Sequence, residues 1–216
     1  MRQIDTCLAG LNRYAYFTKV FLYQYNWIIM RLAVSGTHSV GKTTLIRELV
    51  KILPYPVISE ISSRYTIEQR KNPEIQKSMV REQIEAENCN QSFIVDRCIL
   101  DYLTYCTLEY HYGTYPLETY EYCIEQTATH MKNLPYDAII FIDECITIED
   151  NGNRKLEDSY QKEIYLMLLS IIRGASITGD IPVIYAHGST EIRINQVMNG
   201  LHDCNLLHHT EKVQSE

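Results

Sequence analysis

The chain has no long apolar segment that could cross a membrane. Its most apolar early stretch, residues 11–29, is interrupted by Arg13 and Lys19, and the uncharged runs between them are too short to span a bilayer. The same stretch lacks the ordered charged and apolar regions and the cleavage site of a secretory signal. We therefore expect no membrane partner.

Paired cysteines and an excess of basic charge are also missing. The seven cysteines are an odd set without C-x-x-C spacing, which favours isolated thiols in the reducing cytoplasm over a disulfide framework or a zinc site. The formal net charge of −7 offers no basic footprint for duplex phosphates, so nucleic acid is a poorer candidate partner than a small molecule. At 216 residues and 45% hydrophobic, the chain is long enough for one well-buried domain.

We predict that this domain spans residues 30–201, between an N-terminal extension (1–29) and a mobile tail (202–216). Two interpretations of the extension stay open. Either Met30 is the natural start and the preceding residues are an upstream reading-frame extension, or the extension is an amphipathic helix that docks on the domain or on a partner. The tyrosine-rich segment 102–122 is likewise either packed core or the face of a homodimer.

Short apolar runs alternate with longer helical patterns. This alternation predicts an α/β, three-layer fold, in which a five-stranded parallel sheet is covered by helices on both faces. The apolar runs lie at residues 32–35, 56–59, 93–95, 138–142 and 182–186. Helices are predicted after the Asn72 cap, from residue 156 to an end at Arg173-Gly174, and after a cap at Thr190.

The residues after the first run match G-x-x-x-x-G-K-[ST], the pattern of a phosphate-binding loop, or P-loop. Its glycines let backbone N–H groups converge on phosphate oxygens, and the helix that follows points its positive end at the same anion. Lys42 should reach the β- and γ-phosphates, and Thr43 should hold Mg²⁺. The predicted nucleotide-binding residues are Gly36, Thr37, His38, Ser39, Val40, Gly41, Lys42, Thr43 and Thr44.

Charged residues follow the strands at the sheet edge where open α/β folds bind ligands. Glu60 and Arg64 follow the second run, Asp96 and Arg97 the third, and Asp143-Glu144 the fourth. Carboxylates beside a phosphate loop repel the phosphates unless Mg²⁺ or a proton in transit offsets them, and arginines suit bidentate phosphate contacts. The pattern indicates phosphoryl transfer.

Four blocks of sequence carry a family resemblance: Gly36 to Thr44, Glu60-x-x-x-Arg64, Val95 to Tyr105, and Glu149 to Arg154. Together they resemble the AAA_28-type P-loop kinases, a group similar to the ribosylnicotinamide kinase domain and more distantly to thymidylate and deoxynucleoside kinases. The resemblance covers residues 30–201 and implies a P-loop NTPase fold with a lid between strands 4 and 5, where Arg154 closes over the transferring phosphoryl group. The lid motif of the family is Asp-Gly-x-Arg; here Asn151 replaces the aspartate and the arginine is kept.

The resemblance also implies roles for individual residues. Glu60 accepts the proton of the attacking hydroxyl or orients that hydroxyl, and Asp96 joins Thr43 in binding Mg²⁺. The implied catalytic set is Lys42, Glu60, Arg97 and Arg154, and the implied substrate-binding set is Glu60, Arg64, Arg97 and Tyr105. The leading hypothesis is an ATP-dependent, Mg²⁺-requiring kinase whose small acceptor is a nucleoside or a nucleoside monophosphate.

Two other functions compete with this hypothesis. Asp143-Glu144 after an apolar run is also typical of motor ATPases, in which the pair supplies a magnesium ligand and a base that activates water; this chain lacks the length for their helical domain. A kinase acting on a modified base in DNA would share the donor site but would need a basic channel. No Asn-Lys-x-Asp guanine motif is present, which favours ATP over GTP, while the acceptor stays open.

Overall fold

A parallel sheet of five strands forms the centre of the described structure. The structure is a computed structural model that describes residues 29–144 and 155–207, with the backbone alone for 155–158. The strands are β1 (Arg31–Ser35), β2 (Val57–Ile58), β3 (Phe93–Asp96), β4 (Ala138–Ile142) and β5 (Val183–Ala186). Their order is β2-β3-β1-β4-β5, and every neighbouring pair is parallel, as the sequence predicted.

Helices cover both faces of this sheet, which confirms the predicted fold class. The helices are α1 (Lys42–Leu49), α2 (Ile67–Arg70), α3 (Pro73–Asn88), α4 (Ile99–His111), α5 (Leu117–Asn133), α6 (Lys155–Gly179) and α7 (Thr190–Asp203). One buried cluster joins the sheet to α3, α4, α5 and α6, and a second joins it to α1 and α7. The expected lid segment, residues 145–154, lies outside the described residues.

Strand β1 shows how the two faces arise from the sequence. Its side chains alternate, so that Leu32 and Val34 pack towards α1 and α7 while Ala33 packs towards the other face. Burial of a large aliphatic side chain contributes about 1.5–3 kcal/mol. The strand is therefore held from both sides, and its end at Ser35 fixes where the phosphate loop begins.

Two helix ends differ from the sequence prediction. Helix α6 passes through Gly174 and ends at Gly179, because Ala175 beyond the glycine still packs on the core; Asp180, at φ 53°, ends it. The cap of α7 is Ser189, whose Oγ accepts the Ile192 N–H at 3.4 Å, rather than Thr190. The Asn72 cap of α3 is confirmed, with its Oδ1 accepting the Glu74 N–H at 2.9 Å.

The two segments predicted to flank the domain lie largely outside the described residues. The extension 1–28 and the tail 208–216 lie outside the described residues. Helix α7 continues two residues past the expected boundary at Leu201, and Leu206 and Leu207 pack against the core. Within the described ranges, no helix has the length and apolar character needed to cross a bilayer.

Two glycines on opposite faces provide a test of packing. A Cβ added at Gly200 of α7 would lie 2.7 Å from Cγ2 and 2.9 Å from Cγ1 of the buried Ile184, whereas one added at Gly174 of α6 meets no described atom within 4 Å. We expect Gly200→Ala to lower the free energy of unfolding by about 1–2 kcal/mol, since overpacking outweighs the helix propensity gained. Gly174→Ala should raise it by up to about 1 kcal/mol. Urea denaturation of both variants measures the difference, and equal effects would contradict the packing argument.

Candidate active site

The loop between β1 and α1 has the backbone that a phosphate cradle requires. Gly36 has φ 146° and Gly41, the residue before α1, has φ 87°, both of which favour glycine. A Cβ at Gly36 would also lie 3.2 Å from the Ile142 carbonyl oxygen at the end of β4. The loop therefore presents its N–H groups and the N-terminus of α1 to one space at the carboxyl edge of the sheet.

Lys42 folds back into this loop. Its Nζ donates to the carbonyl oxygens of Gly36 at 3.0 Å and Thr37 at 2.6 Å, and the residue is 5% exposed. Burial, with a smaller contribution from the nearby Arg97, lowers the pKa of Lys42 to about 8, while carboxylates including Asp101 act in the opposite direction. A desolvated ammonium held by neutral carbonyls is ready to bind an anion.

The two predicted magnesium ligands lie together. Thr43 Oγ1 donates to Asp96 Oδ2 at 2.5 Å, because the parallel pairing of β1 with β3 sets Val34 beside Asp96. The other oxygen of Asp96, Oδ1, is buried and has no hydrogen-bond partner among the residues described. A hydroxyl beside a carboxylate with a spare oxygen is a donor set that fits Mg²⁺ with its waters.

Arg97 is the most strongly held charge at the site. Its Nε donates to Glu60 Oε1 at 2.7 Å, and its Nη1 lies 3.6 Å from Asp101 Oδ1 and 3.3 Å from the Tyr105 hydroxyl. Burial alone would lower the pKa of Arg97, but Tyr105, Asp101 and Glu60 raise it above its ordinary value. Its backbone has φ 73°, so the turn after β3 directs this one side chain across the site at a cost in backbone strain.

Glu60 stays ionised at this position. Burial raises the pKa of Glu60, but the Arg97 guanidinium and the hydrogen bond from the Ser62 hydroxyl outweigh it and hold the pKa below its ordinary value. Its side chain caps no backbone N–H of the short 3₁₀ turn Ile61–Arg64 that follows. The carboxylate is thus tied to Arg97 rather than serving as a helix cap.

Asp101 belongs to the same group, although no role was predicted for it. Its Oδ2 accepts from Ser35 Oγ at 2.9 Å and from the Cys98 N–H at 3.0 Å, so it joins the end of β1 to the start of α4. Burial raises the pKa of Asp101, while Arg97 and Lys42 lower it. A carboxylate three residues after the cap of α4 was the available signal, because it matches a capping box.

A cavity of about 610 Å³ opens beside these charges. Arg97 and Asp101 line it, and Tyr102, Tyr105 and Tyr115 form part of its wall. The remaining lining residues include His38, Ser62, Arg70, Lys71, Gln76, Glu109 and Tyr160. A volume of about 300–1,000 Å³ with apolar and aromatic walls is typical of small-molecule sites.

Not every tyrosine of segment 102–122 lies at this cavity. Tyr110 and Tyr120 stack on each other instead, with ring centroids 4.6 Å apart and planes 3° from parallel. The Tyr112 hydroxyl donates to the Glu163 carboxylate. The segment therefore divides into a cavity wall and a packed outer surface.

Asp143 and Glu144 are occupied by protein partners. Asp143 is exposed and accepts from the Tyr165 hydroxyl, while Glu144 accepts from Arg193 Nη2 at 2.5 Å and from the Gly188 N–H at 2.5 Å. Arg193 Nη1 in turn donates to the Val40 carbonyl at 2.6 Å. The Glu144–Arg193 pair thus braces the phosphate loop against the loop that follows β5.

Helix α6 supports the phosphate loop from its other side. Gln161 Nε2 donates to the His38 carbonyl at 3.3 Å and lies 3.5 Å from Thr37 Oγ1. Neither Gln161 nor Arg193 was identified from the sequence, since each lies more than a hundred residues from the loop that it contacts.

The structure does not bring every predicted residue to the site. Arg64 pairs with Glu82 at 2.9 Å, its side chain is 60% exposed, and it is not among the residues lining the described cavity. Arg154 lies outside the described residues, so its predicted lid role stays a prediction. The other predicted residues converge: Lys42, Thr43, Asp96, Glu60, Arg97 and Tyr105.

Sequence comparison agrees with this arrangement. Residues 31–191 match the AAA_28 family, which is described as an AAA domain. The chain belongs to the AAA_28 family. This confirms the resemblance drawn from the four sequence blocks. No curated protein matches the chain in sequence.

Solved structures share the fold of this AAA_28 protein. Deoxyadenosine kinase from M. mycoides with its products dCMP and dCDP has a TM-score of 0.61 at 18% identity, over 81% of this chain and 100% of that one. The same kinase with dCTP has a TM-score of 0.60 at 19% identity, over 81% and 100%. The NadR protein in complex with NR has a TM-score of 0.60 at 19% identity, over 87% of this chain and 53% of that one. At such low identity, the likeness shows the fold.

Proposed function

We propose that the protein is an ATP-dependent, Mg²⁺-requiring kinase that transfers the γ-phosphoryl group to the hydroxyl of a nucleoside. The observation that carries this proposal is the Glu60–Arg97 pair. Ser62 and Arg97, which both contact Glu60, line the cavity, and Lys42 lies close enough to Glu60 to lower its pKa. An ionised carboxylate thus lies beside two residues of the cavity wall and near the lysine of the phosphate loop.

The phosphate loop would bind ATP, the phosphoryl donor. The backbone N–H groups of the loop and Lys42 would hold the phosphates of ATP, and Thr43 and Asp96 would hold Mg²⁺. When bound, Mg²⁺ neutralises charge on the β- and γ-phosphates. Arg97 would stabilise the transferring group, and Glu60 would accept a hydrogen bond from the attacking hydroxyl and orient it in line.

The charge balance favours a nucleoside over a nucleoside monophosphate. Arg97 is already shared between Glu60 and Asp101, so two carboxylates and one arginine meet at this point, whereas the cationic Arg70 and Lys71 line the cavity from later in the sequence, after the Glu60 turn. Arg64, the other predicted phosphate contact, is paired with Glu82. A phosphate dianion would meet repulsion there, whereas a neutral hydroxyl would find a carboxylate to accept its hydrogen bond.

The structural neighbours support the same class of acceptor. The M. mycoides deoxyadenosine kinase was solved with dCMP and dCDP as products and with dATP, and NadR with NR and with NAD and AMP-PNP. These proteins have the same fold as this chain and bind nucleotides. The partly aromatic wall of the cavity, from Tyr102, Tyr105 and Tyr115, suits a flat base.

Transfer of label from [γ-³²P]ATP tests the proposal. The protein is incubated with Mg²⁺ and a panel of nucleosides, nucleoside monophosphates and ribosylnicotinamide, beside a control without acceptor. We expect label in a nucleoside monophosphate product, formed faster than free phosphate. Release of free phosphate at a rate that no acceptor changes would instead support the hydrolase built on Asp143-Glu144.

Glu109 is expected to select the base. It lines the cavity two helical turns beyond Asp101, about 12 Å further along α4, and accepts from the Tyr160 hydroxyl at 3.0 Å. A carboxylate accepts hydrogen bonds and donates none, so it favours a base with an amino edge or a positive charge. Glu109→Gln should lower kcat/KM for the preferred nucleoside by about 10- to 100-fold, with KM for ATP unchanged.

The matched control is Glu163→Gln, which alters the partner of Tyr112 on the outer surface. It should leave the order of preference in the nucleoside panel unchanged. If the wild type and Glu109→Gln have the same kcat/KM values across the nucleoside panel, Glu109 does not select the base.

A further inference from the structure

A buried polar network adjoins the turn that carries Arg97, and none of its members is among the residues that line the cavity. At its centre, Glu87 of α3 is fully buried and accepts three hydrogen bonds. The donors are Gln83 Nε2 at 2.6 Å, His130 Nε2 at 2.7 Å and the Tyr136 hydroxyl at 2.8 Å. Burying four polar side chains costs free energy unless they are hydrogen-bonded to one another. We therefore expect this network to have a role that apolar side chains, which form no hydrogen bonds, could not have.

Two arms of the network end on the backbone of the active-site turn. Gln83 Nε2 also donates to the carbonyl oxygen of Arg97 at 3.3 Å, and the Tyr136 hydroxyl accepts the Ile99 N–H at 3.0 Å. From the other side, the Arg97 N–H donates to the Val34 carbonyl at 3.0 Å. The turn that leaves β3 is therefore held at residues 97 and 99 by groups that do not touch the cavity.

The directions of these hydrogen bonds are fixed by chemistry. Gln83 faces two acceptors, a carboxylate and a carbonyl, so its amide nitrogen must point towards both; its Oε1 has no partner among the described residues. Tyr136 donates to Glu87 and accepts from Ile99, which requires the neutral phenol, and burial followed by the charge of Glu87 raises the pKa of Tyr136 well above its ordinary value.

The turn needs such support because Arg97 has φ 73°, a strained conformation for a non-glycine residue. In that conformation the Arg97 side chain reaches Glu60 and Tyr105. If the turn relaxed, the guanidinium would leave its position beside Glu60 and Tyr105 at the cavity.

We propose that Gln83 and Glu87 are positioning residues for Arg97: Glu87 orients Gln83 and Tyr136, which hold the 97–99 turn so that the guanidinium meets the transferring phosphoryl group. This inference rests on the proposed kinase function. The network acts on kcat through Arg97 and leaves the phosphate loop, and hence the binding of ATP, untouched.

Gln83→Met tests the proposal, because methionine keeps the length and flexibility of the side chain but removes both N–H donors. We expect kcat to fall by about 10- to 100-fold, as for a displaced catalytic group, with KM for ATP changed less than about twofold. The control is Thr127→Val, which removes another buried polar group, on α5, and should change neither constant. An unchanged kcat in Gln83→Met would overturn the proposal.

A double-mutant cycle separates positioning from a general loss of folded protein. In an Arg97→Lys background, Gln83→Met should cost no more than about twofold in kcat, since the group that it positions is already altered. The same fold-loss in both backgrounds would show a merely structural role. Glu87→Gln, which can still accept from Gln83 and Tyr136 and can donate to a neutral His130, should retain most of the kcat that Gln83→Met loses.

Amide hydrogen exchange provides a readout that does not depend on kinase activity. Residues 97–101 should exchange faster in Gln83→Met than in the wild type or Thr127→Val, while α1 exchanges at the same rate in all three. If the wild type phosphorylates no nucleoside but this difference appears, the proposed function fails and the positioning of the turn stands. If transfer occurs and exchange is unchanged, the positioning inference fails alone.

Discussion

Lys42→Ala should lower kcat for phosphoryl transfer by about two to three orders of magnitude while the protein stays folded. In the structure, the Lys42 ammonium is buried between the carbonyls of Gly36 and Thr37, where water cannot replace it. A fixed positive charge in such a site stabilises the charge that develops on the γ-phosphoryl group. Because burial already disfavours the charged lysine, as its lowered pKa shows, its removal should cost little stability.

The matched control for this prediction is Lys51→Ala. Lys51 lies just beyond α1, is exposed and pairs with Glu48 in a surface ion pair, which contributes little to stability. Steady-state kinetics and thermal unfolding by circular dichroism would be measured on both variants. If Lys42→Ala has the wild-type kcat, the P-loop lysine does not take part in the mechanism.

The fold could be predicted from the sequence because its main signals are local. Buried parallel strands appear as short apolar runs, and the Asn72-Pro73 cap marks the start of α3. The end of α6 could not be predicted in the same way. From the local sequence, Gly174 predicts the end of the helix. The helix continues because Ala175 packs against a core built from distant segments.

The site shows the same division between local and distant information. The phosphate loop is contiguous, and β-strand ends meet at one edge of a parallel sheet, so Asp96, Arg97 and Glu60 could be gathered from the sequence. The position of Arg64 could not, because its surface partner, Glu82, lies on a different element. Gln161, Arg193 and the Glu87 network were missed for the same reason, since each contacts the site from a remote helix.

Two carboxylates at the sheet edge separate the proposed kinase from the competing hydrolase. Glu60 accepts a hydrogen bond from Arg97, which lines the cavity, whereas Glu144 accepts hydrogen bonds from Arg193 and from the Gly188 N–H. A kinase needs a carboxylate that faces the acceptor hydroxyl, and a hydrolase needs one that faces water at the γ-phosphate. Glu60, held by Arg97 and Ser62, is therefore the carboxylate that we propose for the first role, and Glu144 braces the phosphate loop through Arg193.

Glu60→Gln should therefore lower kcat by about 10²–10³, because the amide keeps the shape of the side chain but no longer accepts the hydroxyl proton or carries the charge that pairs with Arg97. KM for ATP should stay near the wild-type value, since the hydrogen bonds described for the Glu60 side chain come from Ser62 and Arg97. Glu144→Gln should lower kcat by less than about tenfold, as expected for a brace that loses one charged contact.

Both variants are assayed for transfer to the preferred nucleoside and for free phosphate. The opposite order, in which Glu144→Gln binds ATP and cannot turn it over while Glu60→Gln is unaffected, would identify the protein as a hydrolase. The order expected here follows from the position of Glu60 beside Ser62 and Arg97, which line the cavity.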